Sequence, residues 1–481
     1  MFSIPHKYCE ILQNIINNHI KDKFSSLIPI INMDMGVFNY INFSSNVDET
    51  INDIARKLLI SYFEMLDLSF KHKPGRTNRY HVKNTYTRSI LTIFGEITYS
   101  KTIYLSTLNN STYCPIDSMM GLKAHDYYDP FIKSLVVQYA ANNSYSKTAE
   151  YINNIISNRF KLNNNSKYLM TRQTVHNIIK QANLDVLETT NEVDIDTLYV
   201  MADEHFVASQ DKEKDYMVKQ VVVFEDIKTI KKRGKGKRRK SDKPLLPRRK
   251  LIGKHVISVV DSSIHNETLD YIFNNYNIDN IKNIILMGDG ASWIQTLKDE
   301  LKFDEKVNVT FGLDKYHFKQ ALKRIFLDKE IEESAEDYII SNDIKTFTEL
   351  TNEAIKNAPH REKTINKSKE YIINHIKSII YLYDKKLSCP MESQISHNVA
   401  SRFTSRPCGF SKTNINQLLK LKTMSVNNQQ LALSYLNGLN PNKQQFISIN
   451  NNINSSRYNL KPTDQEILDS FGRNQNVINF I

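Results

Sequence analysis

Cysteine is scarce in this chain. Cys9, Cys114, Cys389 and Cys408 are scattered and form no Cys-x-x-Cys pair, which argues against a structural zinc site and against a disulfide framework. No stretch reaches the ~18 continuous apolar residues that a membrane-spanning helix needs, so no membrane partner is expected. The sequence opens without a signal-peptide pattern, and the expected location is the cytoplasm.

What the chain does have is length and positive charge. Its 481 residues suggest two to four domains at roughly 100–200 residues each. With 40% hydrophobic and 24% charged residues it has the composition of an ordinary globular protein. Lys plus Arg outnumber Asp plus Glu by 64 to 52, a net charge of +12, which favours a polyanionic partner and modestly raises the expectation of nucleic acid. Part of the excess is concentrated between Lys231 and Lys240, where Lys231, Lys232, Arg233, Lys237, Arg238, Arg239 and Lys240 are candidate DNA contacts. A solvated loop is the competing reading of such a run.

The texture changes along the chain. Residues 1–125 read as an α+β region, with helices up to about residue 70 and a β-hairpin turning at Phe94-Gly95-Glu96. Residues 126–191 read as a helical, helix-turn-helix-like DNA-binding region, whose last helix runs from Thr171 to Ala182. Thr171 is a plausible N-cap, and Arg172 and Gln173 on the first turn are suited to base edges; a plain surface helix fits the same residues. From residue 192 the pattern gives strands at Asp196–Ala202, Tyr216–Phe224 and His255–Val260. A helix, a strand at Ile281–Met287, a helix, a strand at Val307–Leu313 and a helix at Lys315–Phe326 follow. That order is the order of an RNase-H-like core, a mixed five-stranded sheet with flanking helices, here assigned to 192–327 and 388–435. The basic run is placed in the hairpin loop between the first two strands. Residues 328–387 read as a helical insertion and 436–481 as a C-terminal tail rich in Asn, Gln and Ser.

In such a core the first and fourth strands are parallel neighbours, so Asp203 and Asp289, which follow them, would meet although 86 positions apart in sequence. Converging carboxylates of this kind hold two divalent ions, Mg²⁺ or Mn²⁺, for phosphoryl transfer. Either Asp alone would more often be a helix cap or a loop carboxylate; the pair in this strand order is what points to a site. Asp314 and His317, three apart at the start of the last helix, either position substrate beside that site or serve as a cap and a satisfied surface group.

The motifs Phe94-Gly95-Glu96-Ile97, Ala202-Asp203-Glu204, Met287-Gly288-Asp289-Gly290-Ala291 and Leu313-Asp314-Lys315-Tyr316-His317 run through most of the chain. With Cys389-Pro390-Met391-Glu392, Ser396-His397 and Ser405-Arg406-Pro407, they resemble the ISLre-type insertion-sequence transposases of bacteria, related in core design to Mutator-type transposases. The resemblance implies a DDE transposase that nicks element ends and joins them to target DNA, both double-stranded DNA, working at the nucleoid. It carries the triad to Asp203, Asp289 and Glu392, both as catalytic residues and as metal ligands. One departure is Cys408-Gly409-Phe410 after Pro407, where another residue than Cys and a Trp for the Phe are expected.

Spacing alone points first to Glu330, Glu332 and Glu333 for the third carboxylate, but these sit in an acidic cluster that reads as solvated. Glu392 instead heads a stripe of Ile395, Val399 and Phe403 at helical spacing, with Ser388 as a cap. Arg402 and Arg406 are further candidate phosphate contacts, and His397 a candidate positioning residue. Synapsis of two DNA ends asks for a homo-oligomer, at least a dimer. An RNase-H-like nuclease without strand transfer, and a non-catalytic DNA-binding regulator built on a transposase, are the competing readings.

Overall fold

A computed structural model describes residues 13–14, 17–18, 37–160, 169–184, 193–211, 214–230, 248–260, 263–406 and 408–439. The run Lys231–Lys240 and most of the C-terminal tail lie outside the described residues.

The N-terminal part pairs one long helix, α1 (Val37–Lys71), with a hairpin of β1 (Tyr80–Thr92) and β2 (Gly95–Ser106), edged by β3 (Thr112–Tyr113). The hairpin turns at the expected place, with Gly95 at φ 117 and Thr92 paired to it. Phe63 and Phe70 of α1 pack on Tyr99 and Tyr104 of β2, and Asp67 accepts from the Thr102 backbone N–H at 2.9 Å. α1 is only partly buried: Phe63 is inside, whereas Ile51 and Tyr62 are exposed. Helices α2 (Pro115–Met119), α3 (Pro130–Ala140), α4 (Tyr145–Phe160) and α5 (Arg172–Gln181) follow.

The next strands are β4 (Thr197–Val207), β5 (Tyr216–Phe224), β6 (Asp226–Ile230), β7 (Arg248–Ile252) and β8 (His255–Val259). Then come α6 (Ile264–Asn275), β9 (Asn283–Gly288), α7 (Ser292–Glu300), β10 (Asn308–Leu313) and α8 (Lys315–Ile325). The main sheet has the order β10-β9-β4-β5-β8. β4 is parallel to β9, and β9 to β10, while β5 is antiparallel to both of its neighbours. The protein is therefore a mixed α/β structure around a five-stranded mixed sheet. Alternation along β4 sends Leu198, Val200 and Ala202 to one face and Met201 to the other. The first face is covered by residues of α6 and α7, among them Ile264, Ile272, Ile294 and Leu297.

The expected hairpin loop must be moved. The run Lys231–Lys240 follows the second strand of the sheet, not the first, and it connects β6 to β7. These two strands form a separate antiparallel ribbon, Asp226 opposite Ile252 through Ile230 opposite Arg248. The chain leaves the sheet after Phe224 and returns at His255, so the ribbon lengthens the β5–β8 connection.

Beyond α8 lie α9 (Lys329–Ile340), α10 (Ile344–Asn357), α11 (Glu362–Asn374) and α12 (Ile376–Asp384), with no strand among the described residues of this stretch, as expected. Their apolar residues Ala335, Ile339, Phe347, Ile365 and Ile372 join the same core cluster as the sheet and α8. α13 (Met391–Ile395) continues through a π-helical turn, Ser396–Ala400, into α14 (Ser401–Phe403). α15 (Lys412–Val426) and α16 (Leu431–Gly438) then pack on α3 and α5 in a second cluster containing Val136, Val175, Phe403 and Leu418. Among the described residues, no helix is long and apolar enough to cross a membrane.

Candidate metal centre

β4 and β9 run side by side only as far as Met201 and Met287. β9 ends one residue later, while β4 continues along β5, where Asp203 lies opposite Gln220. Asp203 is thus two residues past the last β4–β9 pair, within its strand instead of at its end as the sequence suggested. The side chain emerges on the face that carries Met201, in the crevice that β9 vacates. Asp289 follows β9 directly.

The turn after β9 is held tightly. A Cβ on Gly288 would lie 2.9 Å from the Ala202 carbonyl oxygen, so this position needs a residue without one. Gly290 has φ +85, and a Cβ there would meet His375 Nε2 at 2.7 Å. Asp289 Oδ1 accepts from the Ala291 backbone N–H at 2.9 Å, and its carbonyl oxygen accepts from the Tyr371 hydroxyl at 2.7 Å. The Asp314 N–H donates to the Gly288 carbonyl at 2.9 Å, tying the ends of β9 and β10 together.

Asp203, Asp289 and His317 each bring a ligand atom to within 4.8 Å of the others, and could together hold a metal ion. Asp203 is buried, and Asp289 and His317 are half-buried. Burial pushes the Asp203 carboxyl up to about 6, although the Glu204 backbone N–H and His317 favour its charged form; Asp289 and Glu204 add to the rise. Burial works against a charged His317 ring, but its contact with Asp314 and the negative charge of Asp203, Asp314 and Asp289 outweigh it and raise the pKa. Asp314 caps α8, accepting from the Tyr316 N–H at 3.2 Å, and its other oxygen lies 3.3 Å from His317 Nδ1. That contact leaves Nε2 of the ring as the ligand atom.

Glu204 turns to the opposite face, as alternation requires, and its carboxylate accepts from the Trp293 indole N–H. Glu392 is not part of the cluster. It lies exposed on the first turn of α13, which packs on β4, and its charge is felt by His205 of that strand. The buried stripe is headed by Met391, not Glu392: Met391, Ile395, Val399 and Phe403 are at most 4% exposed and recur every four residues. Glu392 is one position, about 100°, around the helix from that stripe. Ser388 is not a cap, since α13 begins after Pro390; its hydroxyl instead accepts from Arg249 at 2.9 Å.

The other candidates spread out. Thr171 caps α5, accepting from the Thr174 N–H at 3.2 Å. Arg172 and Gln173 are exposed on its first turn, Gln173 bonding Asn177 at 3.0 Å. His397 and Arg406 are exposed, while Arg402 is largely withdrawn beside Phe403 and Tyr145, and burial lowers its pKa. Glu330 and Glu333 are exposed, in line with a solvated cluster. Sequence reasoning missed Tyr371 and His375, whose only mark was an i, i+4 pair of polar aromatic rings inside the insertion.

The class these features define is a mixed α/β protein in which Asp203, Asp289 and His317 converge where the pairing of parallel β4 and β9 stops. Its family follows from the sequence as a whole: the chain belongs to UPF0236, an uncharacterised protein family whose pattern matches residues 35–434. Among its relatives are UPF0236 proteins of Caldanaerobacter subterraneus subsp. tengcongensis. Two are 26% identical over 432 residues, 88% of this chain and 84% and 80% of theirs. Another is 24% identical over 432 residues, 88% of this chain and 84% of its own.

Proposed function

We propose that this protein is a DNA transposase of the ISLre type, with an RNase-H-like catalytic core that cleaves insertion-sequence ends and joins them to target DNA. The observation that carries the proposal is the meeting of Asp203, Asp289 and His317 within 4.8 Å, where the pairing of parallel β4 and β9 stops, with the two carboxylates 86 positions apart in sequence. The sheet order, with β5 as its one reversed strand, supports it. So do the relatives' names: one joins four locus designations and another eleven, as expected for a gene present in many copies.

The donor set suits Mg²⁺ or Mn²⁺. Two carboxylate oxygens match a hard cation, and an imidazole nitrogen tolerates Mn²⁺ well. The buried Gln220 Nε2, in the row of β5 opposite Asp203, has no hydrogen-bond partner among the described residues, so a donor is left for an oxygen brought in by ion or substrate. The bound ions would supply a Lewis acid for the scissile phosphate and lower the pKa of the attacking water or 3′-hydroxyl. Asp203 and Asp289 hold the charge, Asp314 fixes the His317 ring, and Tyr371 fixes the backbone of Asp289. Glu392, on the helix packed against β4, is the third carboxylate of the proposal and the ligand a second ion would need. Two active sites on two DNA ends make a dimer the expected working unit.

The test uses purified protein, Mg²⁺ or Mn²⁺, and linear DNA carrying the sequences that flank the coding region, with nicked and joined products separated on a gel. Wild-type protein should give joined products. Asp203→Asn, Asp289→Asn and Glu392→Gln should each fall to background while DNA binding persists. Cleavage without joining would reduce the protein to a nuclease, and near-normal cleavage by Asp289→Asn would refute the site.

A further inference from the structure

Between the β6–β7 ribbon and α13 runs a groove of about 1020 Å³ that none of the metal-centre residues occupies. Its floor is apolar, with Ile227, Leu251 and Val426, and its rim carries Arg249, Lys250 and Lys254. Among the described residues no Asp or Glu lines it; Glu225 is folded over Gly253 at one end. The opposite wall is the segment leading into α13 and the helix itself, with Ser388, Ser393 and Gln394 offering hydroxyl and amide groups.

The cations are not scattered surface charges. Arg249 is tied to Ser388 at 2.9 Å and Lys254 to Gln394 at 3.3 Å, so the two walls are braced across the groove. Lys254 is half-buried with no carboxylate partner among the described residues, and burial lowers its pKa. A cation held in that way is stabilised by a polyanion that brings its own charge. The groove also leads to the metal cluster. Arg249 lies within electrostatic reach of Lys315, the residue after Asp314, and Glu392 stands between groove-lining Pro390 and Ser393 on the same helix.

We infer that this groove binds the sugar–phosphate backbone of one DNA strand as it leaves the metal cluster, with Lys250 and Lys254 neutralising phosphates and Ser393 and Gln394 donating to them. The inference rests on the proposed function for its choice of DNA as the polyanion, but its test does not depend on catalysis. This site is formed by residues from two elements facing each other, so its contacts are fixed in register with the cluster.

The experiment measures the affinity of full-length protein for a random-sequence 30-base-pair duplex, in EDTA, across a salt series. Removing one phosphate-neutralising cation should flatten the slope of log affinity against log salt by about 0.9, so Lys250→Gln should flatten it by about one such step and Lys250→Gln/Lys254→Gln by about two. Lys250 is exposed, so its single variant should fold normally even if Lys254→Gln does not, and melting curves identify that case. An unchanged slope in a folded Lys250→Gln protein overturns the inference, whether or not the wild type cleaves DNA. A flattened slope in a protein that never cleaves upholds the groove and counts against the transposase.

Discussion

Gly290 concentrates, in one residue, the constraints that shape the crevice. Its φ of +85 is a conformation L side chains rarely adopt, and a Cβ would stand 2.7 Å from His375 Nε2. Gly290→Ala should destabilise the fold by about 1–3 kcal/mol from the backbone conformation alone, read from the urea midpoint. Adding His375→Ala should recover only the steric part; full recovery would mean that the φ is not enforced. Gly288-Asp289-Gly290 has the composition of an ordinary turn and also that of a close backbone approach. Which it was depended on Ala202 and His375, distant in sequence and therefore invisible to local reasoning.

His255 belongs to the same scale and gives a pH dependence away from the metal cluster. Burial pulls its pKa down to about 4. The Asn427 amide is fixed by two 2.8 Å bonds to the Val256 backbone, leaving its second N–H toward His255 Nε2 at 3.3 Å. The folded state thus holds the ring neutral, while the unfolded chain takes up a proton near pH 6.5. Stability from this group is complete above about pH 6.5 and is lost as pH falls toward about 4, a change on the order of 1–3 kcal/mol. His255→Gln should flatten the pH dependence of the urea midpoint in that window. An unaltered profile would show that the imidazole is not what titrates.

At the scale of elements, the helices and strands of the main sheet were legible because each carried a clean period. β9 and β10 begin and end within two residues of the expected positions, since an apolar run bounded by polar residues has few other solutions. α13 was legible in existence but not in phase. Spacing from Glu392 fits a buried stripe as well as spacing from Met391 does, until the sheet decides which side faces inward, and a π-helical turn at Ser396–Ala400 cannot be read from periodicity. The ribbon was not foreseen, and the basic run was placed one connection too early, because β6 and β7 carry charges on short strands with little alternation to mark them.

α5 is an element whose role remains a proposal with a direct test. Its cap formed as expected, and His176 anchors it to α15 through Asn414 at 3.0 Å, leaving Arg172 exposed. Arg172→Ala should weaken binding to the element ends by about 1–3 kcal/mol and binding to random DNA much less, as measured by competition. Equal losses on both would make Arg172 a backbone contact.

For the molecule as a whole, the insertion is the feature that sequence reasoning understood least. It was read as a helical insertion, and in chain order it lies between α8 and α13. Yet Tyr371 of α11 and His375, just after that helix, clamp the turn that bears Asp289, and α12 places Leu382 against Gly312 of β10. The insertion therefore completes the crevice. Charge and helical spacing on α9–α12 described its outer face and said nothing of the inner one, because a helix's partner is chosen by the rest of the fold.

The proposed phosphoryl transfer depends on Asp203 and Asp289 sharing a cation. Titration of the wild-type protein with Mn²⁺, followed by the loss of free-ion electron paramagnetic resonance signal, tests that sharing without DNA, products or a known element end. Saturable binding is predicted for the wild type, with most of it lost in Asp203→Asn and in Asp289→Asn while both variants keep their melting temperature in EDTA. Mn²⁺ uptake by either folded variant equal to that of the wild type would contradict the account.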